Sequence, residues 1–265
     1  MADPRHDTGL LWEARRRPGV ERVVRAAVEL ADAEGLAAVS MRRLAERIGF
    51  TTMAIYRHVP GKPELLDLMC DEVMGEVREA AAEPEGWRER LAEWAREGMD
   101  LYLRHPWLAE SDRWRRVPGP HTVARFERAL AVVAGTGLPP AQTVAAVDLV
   151  SGFVDSAARQ AVAGARPGLG EGWGARELLL AGPDRYPVLG GLYREGAFEA
   201  PVDSFEFGLQ RVLDGLEALV RDVKRDVTGC GVCGRLIERG ASGRPRAYCS
   251  RACRQRAYRM RRKQG

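Results

Sequence analysis

Apolar residues at Val23, Ala27, Leu30 and Ala31 recur at the three- and four-residue steps that line one face of a helix. This spacing predicts a helix over about 21–34, closed by Gly35, a residue free to leave the right-handed region. A shorter amphipathic stretch, SMRRLAERIG, turns Leu44 and Ile48 inward behind Ser40, a capping residue. Gly49 permits a sharp turn, and Thr52 opens a third helix, MAIYRHV, with Ile55 and Val59 inward. Pro60-Gly61 ends that helix, and Pro63 sits in the first turn of the next, PELLDLMCDEVMGEVREAA.

Helical periodicity continues from Trp87, with helices expected near 87–104, 107–115, 119–135, 139–164, 174–181, 187–195 and 203–224. Nothing in that span alternates with period two, so the fold class is all-α. The longest loop lies at about 165–172, where Gly and Pro concentrate. After Val227 the hydrophobic period fades and Gly and Arg take over. The expected division is an N-terminal arm (1–20), a three-helix unit (21–68), a helical body (69–226) and a small basic tail (227–265).

Two short helices around a glycine turn are the parts of a helix-turn-helix, whose second helix enters the DNA major groove. Three-helix packing also occurs in unrelated proteins, so the spacing alone leaves a plain structural reading open. The residues narrow it. The stretch VSMRRLAERIGFTTMAIYRHVPGKPELLDLM closely resembles the DNA-binding domain of the tetracycline-repressor (TetR) family over about Val23 to Met69. A weaker likeness runs through LYLRHPWL, the Gly-Pro helix start near 119, the GLPP break and FEFGLQRVLDGLEALV.

The resemblance implies a DNA-binding set. Ser40 and Thr52, at helix starts, would hold phosphate oxygens, and Arg42 would reach a base edge. Thr51, Met53, Ala54 and Arg57 would face the groove, while Tyr56, His58 and Lys62 would touch the backbone. The ring of Tyr56 is equally suited to partial core packing. The groove-facing TTMA departs from the tetracycline pattern, so an operator preference is not carried over.

In the body, the resemblance implies an apolar cavity for a small-molecule inducer, near Trp94, Tyr102, Trp107, Trp114, His121 and Phe126. Core filling is the plainer role for such aromatics. His121 either bonds an oxygenated ligand or caps a helix. By the same resemblance, the helices near 139–164 and 203–224 would pair with their two-fold mates, with Gly152, Ala157, Ala158 and Ala161 allowing close approach. Asp155 and Arg159 stand at an i,i+4 step suited to an ion pair, and Cys70 reads as a small buried apolar residue.

Charge separates the tail from the rest. The net charge of +4 conceals 13 Lys/Arg against two acids over 224–265, and 17 against 25 over 71–223. The acidic body is a poor partner for a polyanion, whereas the tail suits one. Cys230-x2-Cys233 and Cys249-x3-Cys253 offer four thiolates, with room for a hairpin between the pairs. Zinc fits best, a closed tetrahedral site stapling a segment too small for a core of its own; iron–sulfur or redox use stays open. Behind the second pair, Arg251, Arg254, Arg256, Arg259, Arg261, Arg262 and Lys263 cluster with Tyr258. The tail is expected to add non-specific or flanking DNA affinity, against a plainer role as a solvated basic end.

The chain carries no apolar run long enough for a membrane span and no signal-peptide core, so a cytoplasmic location is expected. It lacks a Gly-rich phosphate loop, a nucleophile elbow and a histidine–carboxylate cluster, so an enzyme is not expected. The favoured reading is a homodimeric transcriptional regulator that represses from a palindromic operator and is released by its inducer. The alternative is a zinc-dependent nucleic-acid or protein-interaction module in which the tail dominates.

Overall fold

Helix α1 (Pro18–Glu34) begins three residues earlier than its apolar spacing suggests, because Pro18 already carries a backbone angle suited to a first turn. The computed structural model describes residues 12, 18–76, 84–110, 118–164, 185–197, 202–230, 232–234, 236–238 and 247–262. The expected helix at 174–181, the loop at 165–172, most of the arm and Trp114 lie outside those residues.

Helices α2 (Met41–Ile48) and α3 (Thr52–His58) flank Gly49, whose φ of 70° is left-handed. Nothing would crowd a side chain there, so the backbone angle is what calls for glycine. Arg22 of α1 ties the turn down, donating to the Ile48 carbonyl at 2.8 Å with its guanidinium 5.0 Å above the Phe50 ring. Helix α4 (Lys62–Met74) packs on α1 and carries the chain into the body.

The body is built on α5 (Trp87–Arg104), α6 (Pro120–Ala134), α7 (Pro140–Gly164) and α9 (Ser204–Asp226), with the short α8 (Pro187–Arg194) preceding α9. Helix α7 touches α5, α6 and α9. The segment expected as a helix at 107–115 is instead a 3-10 turn, Pro106–Glu110, in its described part. The tail contains the strands β1 (Val227–Gly229) and β2 (Leu236–Glu238), paired antiparallel, followed by α10 (Arg251–Arg262). The hairpin therefore brackets the first cysteine pair; it was expected between the two pairs. Three-residue strands are too short to register as a period in sequence.

Two apolar cores result. One gathers α1–α4 together with Leu101, Trp107 and Leu108, so the N-terminal unit rests on the end of α5. The other joins α5, α6, α7 and α9 through residues such as Leu91, Val147, Leu209 and Leu213. Ion pairs clasp α9 to α5 along their length. Arg96 meets Glu206 at 2.7 Å, and Arg88 meets Asp214 at 2.7 Å and Glu217 at 3.1 Å. Higher numbers on α9 face lower numbers on α5, so the two run antiparallel. The hydrogen bond from Arg96 holds the Glu206 carboxyl below its usual range. That stability is present at neutral pH and is lost as pH falls through the depressed value.

The joint between α4 and α6 is a buried carboxylate. Helix α6 starts at Gly119-Pro120 and has no capping side chain of its own. Asp71, 1% exposed on α4, supplies the cap: Oδ1 accepts from Thr122 N (2.8 Å) and Thr122 Oγ1 (3.0 Å), and Oδ2 from His121 N (3.3 Å). A β-carbon at Gly119 would stand 2.3 Å from the Asp71 carboxyl carbon, so only glycine admits this approach. Asp71→Ala strands these donors and is expected to lower unfolding stability by about 2 kcal/mol in chemical denaturation, with Asp71→Asn losing less. A loss of only a few tenths of a kcal/mol in the alanine variant would show that the cap does not hold α6.

Candidate functional site

The α2–α3 unit presents a surface set by its caps. Ser40 Oγ accepts from Arg43 N (3.3 Å) and Thr51 Oγ1 from Ala54 N (3.1 Å), so Thr51, rather than Thr52, caps the third helix. With Ile55 and Val59 fully buried, the opposite face carries Thr51, Thr52, Met53, Tyr56 and Arg57 outward, and Ala54 is half-buried. Met53 is 71% exposed on this short polar helix, an unusual place for a thioether. Tyr56, at 48%, leaves much of its ring outside the core. Arg42 is held beside Glu46 at 3.1 Å on the surface.

Two expected backbone-touching residues are engaged within the fold. The His58 ring lies against Phe50, with centroids 6.1 Å apart, and close enough to Gly19 to exclude a side chain there. Lys62 Nζ donates to the Val39 carbonyl at 2.9 Å, lashing the start of α4 to the segment before α2. Contacts with unlike partners in the fold do not show in sequence spacing.

A second joint lies under this unit. Asp32 Oδ1 of α1 accepts from Trp107 Nε1 (2.7 Å) and sits 2.8 Å from His105 Nδ1, while His105 Nε2 faces Glu76 at 3.1 Å. Trp107, 2% exposed, thus belongs to the seam between α1 and α5: it takes the core-filling role open to any such aromatic and stands apart from the residues lining the body's cavity, where the resemblance had put it. His121 is likewise displaced from the expected site. Its Nδ1 lies 3.2 Å from the Asp71 carbonyl, beside the α6 start.

The cavity itself, about 430 Å³, opens between α4, α5, α6 and α7. Trp94, Tyr102 and Phe126 line it as expected, with Met74, Leu101, Val123 and Val154 completing an apolar wall. Cys70 also borders it and is buried. Its polar groups went unforeseen. Arg125 is buried, lies 4.7 Å over the Trp94 ring, and donates to the Trp94 carbonyl (2.6 Å) and Glu97 (3.1 Å). Burial pulls its guanidinium below arginine's usual range, and Glu97 opposes that. Tyr102 donates to Asp155 at 2.5 Å, and Asp71 and Thr122 border the same space. The sequence did hold one signal for Asp71, since a helix opening on Gly-Pro must find its cap elsewhere in the chain.

On the outside of α7 and α9, Leu149 (53%) and Phe207 (56%) are exposed, with Arg211 lying 5.4 Å over the Phe207 ring. Gly152 is exposed, and Ala157 and Ala161 are half-buried, but Ala158 is fully buried in the protomer's own core and is withdrawn from any outer face.

In the tail, the sulfurs of Cys230, Cys233, Cys249 and Cys253 all lie within 4.8 Å of one another. Three of the separations are 3.5, 3.6 and 3.7 Å, far beyond a disulfide bond. A tetrahedron of sulfurs about 2.3 Å from a zinc ion has edges of about 3.8 Å, which the three separations among Cys233, Cys249 and Cys253 approach, with Cys230 within 4.8 Å of each. The backbone N–H of Cys249, aimed at Cys230, lowers that thiol to about 6. The hydrogen-bonded thiol of Cys233 pushes Cys249 up to about 12.

Residues 23–69 match the family described as bacterial regulatory proteins, tetR family, and residues 80–220 match the tetracyclin repressor-like C-terminal domain. The HTH-type transcriptional repressor DrrR1 of Streptomyces coeruleorubidus is 44% identical over 230 residues, which are 80% of this chain and 84% of that one. The crystal structure of apo ActR from Streptomyces coelicolor superposes with a TM-score of 0.64 at 32% identity, covering 76% of this chain and 96% of that one. ActR in complex with actinorhodin gives 0.63 at 32% identity, covering 75% and 94%.

Proposed function

The chain belongs to the tetR family of bacterial regulatory proteins, and from that premise we propose how it works as a transcriptional repressor. Helix α3 enters the major groove, and the observation that carries this is its outward face of Thr51, Thr52, Met53 and Tyr56 behind a buried Ile55. Met53 and Ala54 meet thymine methyl groups, and Arg42 swings from Glu46 to a base edge or phosphate. Ser40, Thr51 and Thr52 offer hydroxyls and helix-start N–H groups to phosphates, joined by Lys62, Arg57 and Tyr56. One such helix makes few contacts, so two protomers bind a palindrome as a homodimer, paired through the outer faces of α7 and α9.

The effector is a small molecule of mixed character: apolar and aromatic where it meets Trp94, Phe126 and Met74, oxygen-bearing where it meets Arg125 or Thr122. ActR's complex with actinorhodin supports an aromatic, oxygenated class. Occupancy pushes on the start of α6. Because Asp71 ties that start to α4, the displacement reaches the DNA-reading unit through the Lys62–Val39 lashing. Repression is relieved only to the extent that the effector prefers the altered spacing of the two readers. A regulator of this kind acts where the chromosome is, in the cytoplasm. No helix among the described residues is long and apolar enough to cross a membrane.

The four tail thiols hold one zinc ion, which staples β1, β2 and the start of α10 together. Three of the sulfurs stand close to a tetrahedral edge apart with the fourth nearby, which supports this over a redox pair.

Two measurements test these readings. Selection of duplexes from a random pool by the full chain at about 0.15 M salt should return a palindrome with half-sites about ten base pairs apart. Met53→Ala should then relax one position per half-site by about 1–3 kcal/mol. A strictly monomeric protein that selects no sequence would overturn the repressor reading. Elemental analysis should find one zinc per chain, and chelation should unfold the tail while leaving the thermal transition of the helical body in place. Absence of metal, or iron with acid-labile sulfide, would overturn the zinc assignment.

A further inference from the structure

The tail carries a strongly basic helix, α10. The N-terminal unit rests on the C-terminal end of α5, where His105 and Trp107 meet Asp32. Because α9 is antiparallel to α5, it runs away from that unit. From His105 to Arg88 the climb is about 26 Å, and from Glu217, paired with Arg88, to Asp226 it is about 14 Å more. Strand β1 begins at the next residue, Val227, with no spacer. Its cysteine cluster sits there, and α10, which starts from that cluster, is about 18 Å long. The tail's helix therefore cannot cover the roughly 40 Å back to the duplex read by α3. The expectation that it adds affinity to DNA flanking the operator fails on this distance.

Most of the circumference of α10 is exposed, Ala252 and Met260 included. Cys253 and the buried Ala257 turn toward the module. Arg251, Arg254, Gln255, Tyr258 and Arg259 are exposed, and Arg256 is exposed to one side of them. From 239 to 265 the sequence holds ten Arg/Lys and no Asp or Glu, so no acid neutralises this face from within. We propose that α10 is a sequence-independent binding surface for a second DNA duplex, so that the regulator clasps two DNA segments, one at each end. An α-helix about 10–12 Å across matches the width of a major groove, and arginine forks match phosphate oxygens. An acidic peptide is the other polyanion to consider, and competition by polyglutamate decides for or against it. The inference rests on the regulator reading only for the first duplex and on the zinc reading for the placement of α10.

The test uses the full-length protein. A biotinylated duplex from upstream of the protein's own gene is immobilised and loaded with protein, and a short, unrelated, fluorescent duplex is then offered. The wild-type protein should capture it. The variant Arg251→Ala/Arg254→Ala/Arg256→Ala/Arg259→Ala should hold the upstream duplex with unchanged affinity yet lose capture about tenfold or more. Removing four phosphate contacts should lower the salt slope of unrelated-duplex binding by about three to four. Lysines at the same four positions should restore capture, which separates lost charge from a misfolded tail. Undiminished capture by the alanine variant overturns the proposal. So does a parallel loss of upstream-duplex affinity, which would put α10 on the same DNA, or equal competition by polyglutamate, which would make the partner an acidic chain. If the regulator reading alone is wrong, neither protein prefers the upstream duplex, while the four-arginine loss of unrelated-duplex binding persists.

Discussion

A buried carboxylate ties the helix leaving the N-terminal unit to the body of this protein. Asp71, on the helix that leaves the DNA-reading unit, satisfies the free N–H groups at the start of a body helix that has no cap of its own. An N-terminal helix end left bare in the interior is costly, and the neighbouring glycine leaves the carboxylate no competitor for the position. The start of α6 is thus bonded directly to α4. The cavity borders on this same contact, so the space that would receive an effector and the tie that would transmit its arrival are one locale.

The seam between α1 and α5 complements that tie. Asp32 receives the Trp107 indole and faces His105, which in turn faces Glu76. These bonds fix the end of α5 against the reader, while Asp71 fixes α4 against α6. The two ties thus lie on different helices of the N-terminal unit, α1 and α4.

Local periodicity made the reader legible. Leu44, Ile48 and Ile55 at helical spacing, with Gly49 between, predict two short helices and their outward faces, because each of those facts is decided within a few residues. The thiol set was legible for a similar reason: the two cysteine pairs are written in the chain, and the fold brings their four sulfurs within 4.8 Å of one another. The cavity was only half visible. An aromatic at helical spacing announces burial but not its neighbours, so Trp94 and Phe126 reached the cavity while Trp107 went to the seam. Asp71 and Arg125 act on partners tens of residues away, and nothing near them in sequence marks the encounter. The place of the tail hairpin, around the first cysteine pair and not between the pairs, is illegible in sequence because its strands are three residues each.

Helix α9 ends at Asp226 and strand β1 starts at Val227, a junction without a swivel. A tethered basic tail on a loose linker would sweep a sphere and touch whatever drifted in. With zinc stapling the module to a strand that follows α9 directly, the arginine-bearing helix would keep a set stand-off from the body beneath it. Protein architecture would then dictate the orientation of anything gripped there.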